Sequence, residues 1–234
     1  MDTDLSNVIL NALGLLFSGD SELWEIVFVS LRVSLLAILI ATPLAILLSF
    51  ILFEYHSRLK RIIIAINNTL VAVPAVVVGL IVYLFLSKQG LLGDLHWLFT
   101  QKAMILGQVL LAFPIILNIS YSGFKSIHKG AQETALTFGA NYWQLTLTMI
   151  FECRLILLTA VVTAFGRIIA EVGSAIMVGG NILHYTRSIT TAITLETSKG
   201  EFTQGVALGI VLLILAFALN FSISLLVKRS ESYD

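Results

Sequence analysis

The sequence predicts an all-α membrane protein: five transmembrane helices, an amphipathic N-terminal helix on the outer face, and one polar loop on the cytoplasmic side. Three observations carry that expectation. Of the 234 residues, 58% are hydrophobic and only 12% are charged, whereas soluble domains carry about 25% charged residues. Five apolar runs, 26–53, 62–86, 103–124, 155–178 and 203–227, approach or exceed the about 20 helical residues needed to cross a hydrocarbon core of roughly 30 Å. Between the third and fourth runs lies the one sizeable polar stretch, 125–154, KSIHKGAQETALTFGANYWQLTLTMIFECR. The whole chain, 1–234, reads as a single transmembrane domain.

Before the first run, Leu5, Val8, Ile9, Ala12, Leu13, Leu16 and Phe17 recur at helical spacing. The stripe is too short to span, so it is expected at the interface, with Trp24 as a belt residue. The N-terminal stretch is acidic (Asp2, Asp4, Asp20, Glu22, Glu25) and has no Lys or Arg before Arg32. It therefore lacks the basic start of a signal peptide, and no cleavage is expected. Arg32 lies within snorkelling reach of the outer interface and reads as an anchor.

The first run is longer than the bilayer, which predicts tilt or bending near Pro43. Pro74 and Pro114 also fall inside apolar runs. Proline removes a helix hydrogen bond and crowds the preceding turn, so kinks are expected at all three. Five spans put the termini on opposite sides. Arg58, Lys60, Arg61, Lys125, Lys129, Arg154, Lys228 and Arg229 share one side; Lys88, Lys102, Arg187 and Lys199 share the other. The excess of Lys and Arg marks the cytoplasmic face, so the N-terminus is expected outside and the C-terminus in the cytoplasm. The segment 179–204 then lies outside, and its apolar piece 189–195 fits either a re-entrant segment or a plain surface loop.

Ionisable residues inside spans are costly unless paired or facing water. Arg167 and Glu171 stand four apart in the fourth run, on one face of a continuous helix. Their expected role is to line or gate a pathway, with a structural ion pair as the alternative. Gly205 and Gly209 form a GxxxG that predicts close helix packing. Asn67 and Asn68 open the second run, where an amide either hydrogen-bonds between helices or caps locally, and no site is assigned to them.

Several chemistries have no support. The zero formal net charge offers no basic face for nucleic acid. No GxxxxGK[ST] loop and no strand-following GxGxxG occurs, so nothing recognisable holds a nucleotide. His56, His96, His128 and His184 are scattered without metal spacing, and Cys153 has no second thiol. The chain is expected to be no enzyme, with no catalytic residue, cofactor or metal of its own. Any energy for transport then comes from elsewhere.

Within the polar stretch, 132–138 reads as a short helix, 139–141 as a breaker, and Tyr142 as the start of a second helix. Glu133, Thr134, Ala135, three residues, then Gly139 resembles the EAA loop of ABC-importer permeases. That pattern is Glu, Ala, Ala, three residues, Gly, and later Ile-x-Leu-Pro. Here Thr134 replaces the second-position Ala, and Met149, Ile150, Phe151 and Glu152 stand where Ile-x-Leu-Pro falls. In the family this loop forms coupling helices that dock on a separate ATPase, which implies a docking role for Glu133, Thr134, Ala135, Gly139 and Ala140.

The stretches LWEIVFVSLRVSLLAILIATPLAILLSF and GRIIAEVGSAIMVGGNI are similar to permeases of the molybdate, tungstate and sulfate importer group. TRSITTAITLETSKGEF, residues 186–202, is most similar to the tungstate branch. The resemblance implies an inner-membrane homodimer that imports a tetrahedral oxyanion, tungstate first and molybdate next. It also implies two ATP-binding subunits that hold the ATP and an extracytoplasmic binding protein. By the same resemblance Arg167, Glu171, Gly173, Gly179, Gly180 and Asn181 lie along the translocation path; Arg187 is expected either to attract the anion at the outer mouth or to contact a lipid headgroup. Two rivals remain: an ion-gradient-driven transporter or channel, with Arg167 and Glu171 as a proton relay, and a structural subunit of a larger membrane complex.

Overall fold

The computed structural model describes residues 5–55, 57–126, 137–139 and 141–231, and every regular element among them is helical. In chain order these are α1 (Leu5–Phe17), α2 (Ser21–Glu54), α3 (Arg58–Ala72), α4 (Ala75–Leu86), α5 (Gln101–Ser126), α6 (Tyr142–Glu152), α7 (Arg154–Ile169), α8 (Gly173–Gly179), α9 (Ile189–Lys199) and α10 (Phe202–Glu231). Polar caps set several starts. Asp20 accepts from Leu23 N at the head of α2, Ser57 from Lys60 N at α3, and Asn141 and Gln144 close a reciprocal box at α6. Each occupies backbone N–H groups that a helix end otherwise leaves unpaired.

Two helices, α2 and α5, are long and apolar enough to cross a membrane. Two further crossings arise if each bent pair, α3 with α4 and α6 with α7, counts as one; those pairs bend by 103° and 71°. In α10 the described side chains give an apolar stretch over Phe202–Ala218.

The prolines behave differently from one another. Pro43 and Pro114 lie inside continuous helices, whereas Pro74 separates α3 from α4. Proline disfavours helical backbone in the residue before it, and Val73 is extended, with φ −64° and ψ 130°. The run 62–86 is therefore two helices at an angle, not one kinked rod. The run 155–178 is also interrupted: α7 stops at Ile169 and α8 starts at Gly173.

The centre is built from small residues that let helices approach closely. Ala37, Ala41 and Ala45, one turn apart on α2, are fully buried with Ala112 of α5 and Ala160 and Ala164 of α7. A second cluster packs Ala12 of α1 and Leu23 of α2 against Ile189 of α9 and Leu208 of α10. On α1 the expected stripe is partly shifted: Ala12 is buried and Leu15 and Leu16 pack inward, while Phe17 is 88% exposed. At the corner joining α6 to α7, Phe50 meets Phe124 edge-on at 5.5 Å, and Met149 and Cys153 complete the packing. Outward-facing apolar side chains such as Phe28, Leu35, Leu39 and Leu44 line α2, the surface expected of a helix in lipid.

Two glycines set the spacing of α4 against α8. A Cβ on Gly79 would lie 2.7 Å from the Ser174 Cα, and one on Gly173 would lie 2.3 Å from Val76 Cγ2. The expected GxxxG packing holds at Gly205, where a Cβ would lie 3.4 Å from Thr197 Oγ1 of α9; Gly209 faces open space.

Candidate translocation site

The break between α7 and α8 is where the buried polar groups converge. Arg167 occupies the last turn of α7. Its Nη1 donates to Glu171 Oε2 at 2.6 Å, with the Arg167 side chain 49% exposed and that of Glu171 only 10% exposed. The other carboxylate oxygen, Oε1, accepts from Gly173 N at 2.9 Å. One side chain thus neutralises the cation and caps the start of α8.

The freed carbonyls are also taken up. Ile168 O accepts from Gln108 Nε2 of α5 at 3.3 Å and from Glu171 N at 3.2 Å. Glu171 O accepts from Thr190 Oγ1 of α9 at 2.9 Å. Unpaired backbone groups in an apolar interior cost several kcal/mol, so these contacts allow the helix to break where it does. Gln108 and Thr190 were not singled out in the sequence. Their signal is a polar side chain inside an otherwise apolar run.

At the far end of α8 a second cluster forms. Gly180, Asn181 and His184 have positive φ, at 71°, 51° and 61°. Thr186 Oγ1 donates to Gly179 O at 2.6 Å and accepts from Ile182 N at 3.0 Å. Gly179 lets Met104 approach, since a Cβ there would lie 2.8 Å from its Sδ. Asn181 Nδ2 donates to Thr191 O at 3.4 Å. The segment 189–195 is part of helix α9, started by a box of Ser188 and Thr191. Ser30 of α2 ties that start in place by accepting from Ile189 N at 2.7 Å. The result is a hydroxyl-rich helix end among α2, α8 and the α7–α8 break.

The sequence-singled residues therefore form two groups, not one. Arg167, Glu171 and Gly173 are in mutual contact; Gly179, Gly180 and Asn181 lie a helix-length away, joined to the first group through α9. Arg187 adjoins the second group, its N donating to Ile182 O at 2.9 Å, while its Nη1 lies 3.5 Å from Glu22 Oε1 and its side chain is 12% exposed. Glu133, Thr134, Ala135 and Ala140 lie outside the described residues. Gly139 is described: it is exposed, has φ +77° and has open space where a Cβ would go. Among the described residues no group of His, Cys, Asp or Glu is arranged to hold a metal.

Cys153 is fully buried and free. Burial first, and the neighbouring Glu152 charge second, push its thiol up to about 11. A raised thiol pKa keeps the unreactive protonated form at pH 8. Maleimide labelling at pH 8 is expected to be negligible in the folded protein and rapid once it is unfolded in denaturant. Rapid labelling of the folded protein at pH 8 would mean that the α6–α7 corner opens.

A chain whose described elements are all helical and largely apolar, broken over buried hydroxyls beside the Arg167–Glu171 ion pair, has the architecture of a membrane transport subunit. The chain belongs to the family described as binding-protein-dependent transport system inner membrane component, whose profile matches residues 23–232. It is 44% identical over 210 residues to the tungstate uptake system permease protein TupB of Campylobacter jejuni, covering 90% of this chain and 88% of that one. Identity to the TupB protein of Peptoclostridium acidaminophilum is 40% over 209 residues, covering 89% and 92%. The molybdenum permease ModB of Escherichia coli is 26% identical, covering 76% and 82%. Among solved structures, a bacterial ABC transporter that imports alginate superposes with TM-score 0.76 at 18% identity, covering 97% of this chain and 90% of that one. The MetNI methionine transporter superposes at 0.65 with 16% identity, covering 98% and 99%.

Proposed function

We propose that this chain is the membrane-spanning permease subunit of an ATP-driven importer for a tetrahedral oxyanion, tungstate first and molybdate next. The observation that carries the reading is identity of 40–44% to tungstate permeases across about nine-tenths of the chain. The fold alone does not select a substrate, because similar folds serve alginate and methionine import.

In this reading the chain works as a homodimer with five spans per copy, N-terminus outside and C-terminus in the cytoplasm. Two ATPase subunits bind and hydrolyse the ATP, and an extracytoplasmic protein delivers the oxyanion. The EAA-like residues Glu133, Thr134, Ala135, Gly139 and Ala140 form the docking handle. Closure of the ATPases moves that handle and rocks the helices between inward and outward states. Arg167, Glu171 and Gly173, and beyond them Gly179, Gly180, Asn181 and Arg187, line or gate the path. The Arg167–Glu171 pair suits passage better than capture. A half-exposed guanidinium already neutralised by a carboxylate attracts an anion without trapping it, and conduction needs binding weak enough to release.

The test is uptake of labelled tungstate into vesicles holding the permease, its ATPase partner and the binding protein. Wild type is expected to accumulate tungstate only with ATP. Glu133→Lys combined with Gly139→Leu reverses a charge and fills a positive-φ position, and is expected to uncouple substrate from ATP hydrolysis. Unchanged substrate-stimulated hydrolysis in that variant would sink the docking role. Uptake by the permease alone under an ion gradient would favour the gradient-driven rival.

A further inference from the structure

A groove of about 570 Å³ lies between the first part of α2, the start of α5 and the turn between α8 and α9, and it shares no residue with the Arg167 cluster. One wall is a single face of α2: Glu25, Phe28, Arg32 and Leu36 stand three or four residues apart and all line the groove. Lys102 and Ile105 of α5 form the opposite wall.

The charges in the groove do not cancel. Glu25 is engaged, its Oε2 2.6 Å from His184 Nδ1. Lys102 rests over the Trp97 ring at 5.7 Å and keeps its Nζ donors. Arg32 is exposed, and among the described residues no acceptor or carboxylate reaches its guanidinium. Two cations thus face a space whose one carboxylate is already committed. The neighbours of Arg32 one turn either way, Phe28 and Leu36, are apolar and exposed at 62% and 37%. An uncompensated guanidinium beside such a surface is costly in a membrane unless it finds a counter-charge. Arg offers paired N–H donors that match a phosphate.

We propose that this groove binds the phosphate of an anionic phospholipid, with Arg32 and Lys102 on the headgroup and an acyl chain along Phe28, Leu36 and Ile105. The chemistry recognised is a tetrahedral oxyanion, which a free anion shares. The lipid is favoured because the α2 wall carries the exposed apolar side chains Phe28 and Leu36 and the lining includes none of Arg167, Glu171 or Gly173. The proposal rests on α2 crossing the membrane and not on the identity of the transported ion.

The experiment is native mass spectrometry of the full chain, in complex with its ATPase subunits, released from nanodiscs of mixed phosphatidylglycerol and phosphatidylcholine. Wild type is expected to retain phosphatidylglycerol preferentially. Arg32→Gln with Lys102→Gln is expected to lower that retention about thirtyfold, the product of two surface cations. Arg32→Lys, which keeps the charge, is expected to retain most of it and reports on folding. Millimolar inorganic phosphate or tungstate is expected to displace nothing. Equal retention in the double variant would overturn the site. Displacement by inorganic phosphate or tungstate would overturn the lipid assignment and make the groove a subsite for free oxyanion.

Discussion

Arg167→Leu is expected to destabilise the folded permease by about 2–3 kcal/mol, while Glu171→Gln leaves it within about 1 kcal/mol of wild type yet abolishes most uptake. The asymmetry follows from burial. Glu171 is nine-tenths covered, with its carboxylate shared between Arg167 and Gly173 N. Removing the arginine strands a buried charge, which in a fully buried pair costs about 3–5 kcal/mol. The lower figure applies because the cation's half-exposed position lets water reach the carboxylate once leucine replaces it. Glu171→Gln keeps an oxygen for Gly173 N, so α8 keeps its cap and the break holds. What it loses is the neutralising charge. An unpaired Arg167 beside the path then holds a dianion instead of passing it, so uptake falls while ATPase association stays intact. Thermal unfolding of purified variants separates the stability effects, and vesicle uptake reads the second. Wild-type uptake in Glu171→Gln would reduce the pair to a structural role. The double change to leucine at both positions is expected to recover part of the stability lost in Arg167→Leu, because no charge remains buried.

The all-helical character was legible because apolar runs of about 20 residues read as membrane helices, but run length did not show that 62–86 and 155–178 are each interrupted. The Arg167–Glu171 pairing was legible too, though for a reason that does not hold in the fold. Four-residue spacing puts two side chains on one face of a continuous helix, yet α7 ends at Ile169 and Glu171 lies beyond it. The pair forms because the carboxylate turns back while capping Gly173. Local signals did not separate Pro74 from Pro43 and Pro114. Pro43 follows Ala37 and Ala41, whose close packing on α5 and α7 holds α2 together across the missing hydrogen bond. At Pro74 the chain instead turns where Asn67, anchored to Pro114 O at 3.0 Å, fixes α3 against α5. Tertiary contacts decided which proline broke its helix. The apolar piece 189–195 is too short for its length to decide between re-entrant segment and loop, and its threonines are poor helix formers. The Ser188–Thr191 box and the burial of Ile189 and Ala192 overcome that propensity.

Gly79→Ala is expected to cost about 1–3 kcal/mol, and Gly79→Leu to prevent α4 and α8 from packing at all. The added Cβ would lie 2.7 Å from Ser174 Cα and 3.2 Å from the Cβ atoms of both Ser174 and Met177. Backbone atoms cannot swing aside as a side-chain tip can, so relief requires moving one helix off the other, and forced overpacking costs energy in this range. Movement there propagates. Helix α8 starts from the Glu171 cap and ends in the Gly179–Thr186 turn, so displacing it strains both polar clusters together. Reduced uptake is therefore expected even in Gly79→Ala molecules that fold. Gly166 supplies the comparison: it lies on α7 near Arg167, but no atom stands within 4 Å of its added Cβ. Gly166→Ala is expected to be neutral or slightly stabilising, because alanine favours helix over glycine. Melting curves of the two alanine variants in the same detergent decide the matter. Equal losses at both positions would mean that the close approach of α4 to α8 is not what Gly79 protects.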